Sequence, residues 1–158
     1  YSLVLMNPSQ SPDHGDPFNW RGSGLPGGNP GETDSRPPFD GIASEDSDSD
    51  GLEALMEHFL GTSDDVSFDG RNAYRLGFVG LPDGGYSPTF AVSYPIGSDD
   101  LAYQVQLSSD LKNWSDERSL LLNETHHGDG TITAEWGASF DDGSPLFFRL
   151  QVSQKLAD

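Results

Sequence analysis

Cysteine is missing altogether from the 158 residues. Its absence excludes a disulfide framework, cysteine-ligated zinc and a thiol nucleophile. Basic residues are scarce: eight Lys and Arg face 26 Asp and Glu, for a formal net charge of −18. So few scattered cations form no stripe to neutralise a phosphate backbone, which disfavours nucleic-acid binding. An anionic membrane would repel the chain as well. No apolar run approaches the ~20 residues needed to span a bilayer. Hydrophobic residues make up only 34 %, so part of the chain is expected to be loop or linker. What is plentiful is acid, together with 19 Gly and 11 Pro. Carboxylate oxygens suit hard cations, and the charge points that way. The length allows one ordinary domain, with or without appendages.

The chain opens Tyr1-Ser2-Leu3-Val4-Leu5-Met6, a strand-like run with no initiator Met and no basic segment ahead of it. A signal peptide is therefore expected to be absent or removed. The sequence reads as a fragment or processed piece of something larger, in three regions: 1–40, 41–70 and 71–158.

In residues 1–40, thirteen positions are Gly or Pro, and Gly24 to Gly31 follows no helix or strand period. Such composition predicts an extended, loop-rich arm without a core of its own. Ser2-Leu3-Val4-Leu5-Met6-Asn7-Pro8, Asn19-Trp20-Arg21-Gly22-Ser23 and Gly27-Gly28-Asn29-Pro30-Gly31 resemble the end of a bacterial lamin-tail domain. That resemblance implies an immunoglobulin-like sandwich lying upstream. The alternative is a Gly/Pro-rich linker after an edge strand. The Leu3–Met6 strand could also add to a sheet edge of a neighbouring subunit.

The sharpest signal lies in region 41–70. Asp46-Ser47-Asp48-Ser49-Asp50-Gly51-Leu52-Glu53-Ala54-Leu55-Met56-Glu57 fits the calcium-loop pattern D-x-D-x-D-G-x5-E at every specified position. Asp46, Asp48 and Asp50 supply carboxylates at loop positions 1, 3 and 5, and Gly51 permits the sharp turn. Leu52 offers its backbone carbonyl, and Glu57 can close the shell with both oxygens. Ala54, at position 9, has no side-chain ligand, so a water is expected there. Leu52, Leu55, Met56, Phe59 and Leu60 form one apolar helical stripe, ended by Gly61 as a C-cap. A solvated acidic linker is the bland alternative, but it has no reason to place Glu57 in register on an amphipathic helix.

A full EF-hand is not expected. Arg36-Pro37-Pro38-Phe39-Asp40-Gly41 breaks any entering helix, and position 8, apolar in paired loops, is Glu53. A second, dockerin-like copy is missing, since Asp65 to Gly70 offers too few ligands. Asp46 to Thr62, including Leu60-Gly61-Thr62, is similar to thrombospondin type 3-like repeats, which implies a structural Ca2+ ion.

Region 71–158 alternates strands and turns: 74–79, 89–94, 102–107, 119–122, 131–136 and 146–152. Tyr103, Val105 and Leu107 alternate with Gln104 and Gln106, giving one buried and one wet face. Asp129-Gly130 signals a two-residue hairpin, and Pro82-Asp83-Gly84-Gly85 a turn. Six strands at this spacing predict a mainly β fold, an antiparallel immunoglobulin/fibronectin type III-like sandwich. Ser108-Ser109-Asp110-Leu111-Lys112-Asn113-Trp114 and Leu146-Phe147-Phe148-Arg149-Leu150-Gln151-Val152 resemble the C-terminal β-module of large secreted bacterial proteins. The resemblance implies a secreted or cell-surface location more than an activity.

No catalytic residue is assigned. His126-His127 sits beside Gly128-Asp129-Gly130 as a surface turn, His58 is expected in solvent, and His14 stands in the arm. The pairs Asp64-Asp65, Asp99-Asp100 and Asp141-Asp142 have glycosidase-like chemistry but lie in turn contexts that favour Asp anyway. No phosphate loop, dinucleotide fingerprint or G-x-S-x-G appears. Trp20, Trp114, Trp136, Tyr86 and Tyr94 could stack on sugar rings, but Trp114 is expected to plug the sandwich and Trp136 to face its core. The expectation is a non-catalytic, calcium-stabilised accessory module whose partners are the upstream domains of its parent protein. A polysaccharide or a neighbouring subunit is the alternative partner.

Overall fold

Strands form where period-2 alternation and turn residues predict them. The computed structural model describes residues 1–67, 69–82, 84–138 and 146–155. The pair Asp141-Asp142 and Asp83 of the predicted turn lie outside these residues. Two short strands open the chain, β1 (Leu3–Leu5) and β2 (Trp20–Gly22), followed by a helix, α1 (Ala54–Leu60). Six longer strands come next: β3 (Tyr74–Gly80), β4 (Tyr86–Pro95), β5 (Leu101–Ser108), β6 (Ser119–His126), β7 (Thr131–Ala138) and β8 (Phe147–Gln154). All pairings are antiparallel, in a four-stranded sheet β3-β4-β7-β6 and two-stranded sheets β5-β8 and β1-β2.

The four-stranded sheet and β5-β8 face each other as a sandwich. Phe90 and Val92 of β4 and Ala134 and Trp136 of β7 meet Leu101 and Val105 of β5. Phe148 of β8 stacks on Phe90, centroids 5.9 Å apart, and Tyr103 meets Trp136 edge-on at 5.8 Å. Gln104 and Gln106 lie on the outer face, bonded to Gln151 and Arg149 across the β5–β8 pair.

Two strands are too narrow to cover four. Helix α1 fills part of the difference by inserting Phe59, stacked 4.9 Å from Tyr94 and 5.0 Å from Tyr103. The β3 edge still stands outside this cover. Leu76 is paired with Phe90 and Phe78 with Pro88, so both point to the core side, yet they are 73 % and 75 % exposed.

Three local expectations change. The β6–β7 connection runs over residues 127–130 and not two residues, with His127 N donating to Thr131 O at 3.1 Å. The Asp129 carboxylate takes both the Thr131 amide and hydroxyl, at 3.0 and 2.6 Å, and this side-chain acceptor shapes the wider turn. Trp114 is half-buried outside the core, with the Arg149 guanidinium carbon 4.5 Å from its ring centroid. The chain reaches it through a turn built on Asp110, whose carboxylate accepts from Lys112 N, Asn113 N and Asn113 Nδ2 at 2.7–2.9 Å. His58, expected in solvent, is half-buried edge-on against Phe39 at 5.4 Å. Residues 36–39 run over that side of the helix, where Arg36 Nη1 donates to His58 O at 2.8 Å.

The Pro/Gly-rich arm contains the β1–β2 ribbon and is fastened to the β4–β5 turn. Arg36 N donates to Gly97 O at 2.8 Å, and Phe39 N donates to Asp100 Oδ2 at 2.8 Å. Leu3, Val4 and Leu5 pair with Gly22, Arg21 and Trp20, so β1 has its partner within the chain. Asp99 and Asp100, weighed above as catalytic carboxylates, are spent on docking this arm.

Candidate metal centre

The acidic loop winds up through its own side chains. Asp46 Oδ1 and Asp48 Oδ1 both accept from Asp50 N, at 3.2 and 3.0 Å. Asp46 Oδ2 accepts from Gly51 N at 3.2 Å, and Asp50 Oδ1 from Leu52 N at 2.9 Å. Gly51 has φ +95°, a left-handed conformation that a β-carbon would strain. The result gathers Asp46, Asp48 and Asp50 with carboxylate oxygens all within 4.8 Å of one another, a triad that could hold a metal ion.

Leu52 carries the chain out of the loop and buries its side chain against the core. Helix α1 then begins without a side-chain cap. Its first amides are met instead by the chain entering the loop, Ala54 N on Glu45 O at 2.7 Å and Leu55 N on Ala43 O at 3.3 Å. Loop and helix therefore brace each other. The helix stops at Gly61, φ +78°, whose amide returns to Glu57 O at 2.8 Å. A β-carbon there would meet Pro95 at 2.8 Å, so the helix end abuts β4.

Glu57 lies outside the tight triad but beside it. It is 1 % exposed. Its Oε1 takes only a 3.3 Å bond from Thr62 Oγ1, and its Oε2 is buried with no hydrogen-bond partner. Asp48 Oδ2 is buried and unpartnered too. Burial pushes the Glu57 carboxyl up to about 7 against the Thr62 bond, aided by the charges of Asp48, Asp50 and Asp64. Desolvation and the charges of Asp50, Asp46 and Asp64 raise Asp48. Buried oxygens without donors are costly, and a cation is the group that would satisfy both. The donor set is oxygen only, which suits hard cations better than the softer transition metals.

Asp64 was legible only as one of a pair of turn acids. The structure brings it, half-buried, to the loop, where Ser47 donates to it through N at 3.0 Å and Oγ at 2.6 Å. Thr62 and Ser67, also unforeseen, hold Glu57 and the Asp48 carbonyl respectively. No spacing rule picks out these three, because the turn after α1 brings them back.

The remaining candidates are dispersed. His126 Nε2 lies 3.0 Å from Glu124 Oε1 and His127 Nε2 2.8 Å from Thr133 Oγ1, both at the surface. Trp136 is buried in the core and Trp20 half-buried in the ribbon, its Nε1 on His14 O at 3.0 Å. Tyr94 is given to the core, its hydroxyl 2.7 Å from that of Tyr103. No helix among the described residues is long and apolar enough to cross a membrane. No family model, curated protein or solved structure matches the chain.

Proposed function

We propose that the chain is a non-catalytic accessory module of a secreted or cell-surface protein, stabilised by one structural Ca2+. Asp46, Asp48, Asp50, the Leu52 carbonyl and Glu57 would hold the ion. The observation that carries this reading is Glu57, a carboxylate 1 % exposed with an unpartnered oxygen beside three further acids. Bound there, the ion supplies positive charge and coordination to oxygens that otherwise repel one another.

The mechanical role follows from what the helix touches. Glu57 and Phe59 sit two residues apart on α1, one toward the acidic loop and the other in the sandwich core. Holding the loop closed fixes the helix that completes the core. Arg36 and Phe39 of the arm rest on the same helix, so the joint between arm and sandwich stiffens with it. Extracellular modules bind calcium at about 10⁻⁴–10⁻³ M, concentrations that suit an exported structural site.

Thermal melts with calcium and with excess EDTA test the reading. Calcium is expected to raise the melting temperature and preserve the helical signal, with magnesium much less effective. Identical melts and spectra in calcium and in EDTA would overturn it.

A further inference from the structure

We propose that Asp64, outside the twelve-residue loop, is a direct ligand of the ion and takes the place that Ala54 leaves open at loop position 9. The inference rests on the calcium reading above and specifies its coordination shell. The loop alone offers six donors: one oxygen each from Asp46, Asp48 and Asp50, the Leu52 carbonyl, and two from Glu57. Calcium takes six to eight oxygens. Ala54 has only a methyl group, and its amide is engaged by Glu45 O.

Asp64 is held against the loop, just outside the tight triad of Asp46, Asp48 and Asp50. Ser47, between ligand positions 1 and 3, grips both of its carboxylate oxygens. Each oxygen keeps a lone pair beyond the one that accepts from Ser47. The charge of Asp64 acts on both Glu57 and Asp48. Glu57 is 1 % exposed with an orphaned oxygen, which a cation beside it would satisfy. Thr62, two residues before Asp64, bonds Glu57, so one short turn delivers both the support for Glu57 and the additional acid. The ion would then clasp two segments, the loop and the 62–67 turn that leads to β3.

Two measurements on the full chain decide it: calorimetric Ca2+ titration, and Eu3+ luminescence lifetimes in H2O and D2O, which count bound waters. Asp64→Ala is expected to weaken Ca2+ binding by about tenfold or more and to add one water to bound Eu3+. Asp64→Glu, which retains a carboxylate, is expected to restore the lower water count, and circular dichroism confirms that each variant is folded. If the wild type takes up no Ca2+, the calcium reading fails and this inference with it. If the wild type binds but Asp64→Ala has the same water count, Asp64 is not a ligand, while the calcium reading stands.

Discussion

Arg21 and Asp99 form a two-pronged ion pair across 78 residues of sequence, Nε to Oδ1 at 2.7 Å and Nη2 to Oδ2 at 3.0 Å. The same guanidinium reaches Asp34 Oδ2 at 2.7 Å through Nη1, so one cation joins ribbon, arm and β4–β5 turn. Ser35 Oγ adds a 2.5 Å bond to Asp99 Oδ2. The planar fork is what permits this sharing, and a lysine could not reproduce it.

Arg21→Ala should therefore cost on the order of 3 kcal/mol, because it strands two largely buried carboxylates. Arg21→Lys should recover only part. Urea denaturation at neutral pH reads both, and a loss under 0.5 kcal/mol for Arg21→Ala would show that the arm is not held by this fork.

Acid should release the same joint. Burial alone would push Asp99 up, but hydrogen bonds from Arg21 and Ser35 and the charges of Arg21 and Lys155 hold it below the usual carboxylate range. A depressed carboxylate contributes stability above its unfolded pKa and loses it as pH falls through the folded one. That contribution should be intact from neutral pH down to about 5, begin to fall near about 4, and be lost only as pH drops through the lower folded pKa. Melts across this range should show a shallower acid decline in Arg21→Ala than in the wild type.

Glu57→Gln should behave oppositely with and without metal. In EDTA at pH 8 the substitution removes a buried charge, so stability should equal or exceed that of the wild type. With calcium a hundredfold above its dissociation constant, the wild type should gain about 2.7 kcal/mol and the variant much less. A variant less stable than the wild type by the same amount in both buffers would point to packing as the whole contribution of Glu57.

Core and edge apolar residues should separate cleanly. Phe59→Ala empties the space against Tyr94 and Tyr103 and should cost about 3–5 kcal/mol. Leu76→Ser, on the open β3 edge, should stay within about 0.5 kcal/mol. Denaturation midpoints compare the two directly.

Much of this architecture was legible in the chain. All six sandwich strands fall close to the spans read from strand-forming runs bounded by turn residues. In β5 the alternation of Tyr103, Val105 and Leu107 with Gln104 and Gln106 marks the two faces as well. The helix, its stripe and the Gly61 stop were equally plain, as was the gathering of Asp46, Asp48 and Asp50. What stayed hidden depends on contacts distant in sequence. Asp64 carries no periodic signal, and its meaning comes only from Ser47 beside it. Trp114 reads as core because it is large and follows a strand, but the Asp110 turn places it under Arg149. His58 lies off the apolar stripe, and only the return of Phe39 covers it. β1 shows in the Leu3–Met6 run, but its partner β2 does not, because three residues are too short to show a period.

The twelve-residue loop has a kinetic meaning as well. Asp46 and Glu57 are near neighbours in sequence, and a closure of that length takes roughly 10–100 ns. The sandwich must wait for much longer closures: Gln104 meets Gln151 across 47 residues, and Gln154 reaches Phe39 across 115. Such nonlocal pairing makes for slow folding. The acidic loop and its helix are thus, with the β3–β4 and β6–β7 hairpins, among the parts of the chain whose closures are short, while β5–β8 pairing and docking of the arm depend on the long ones.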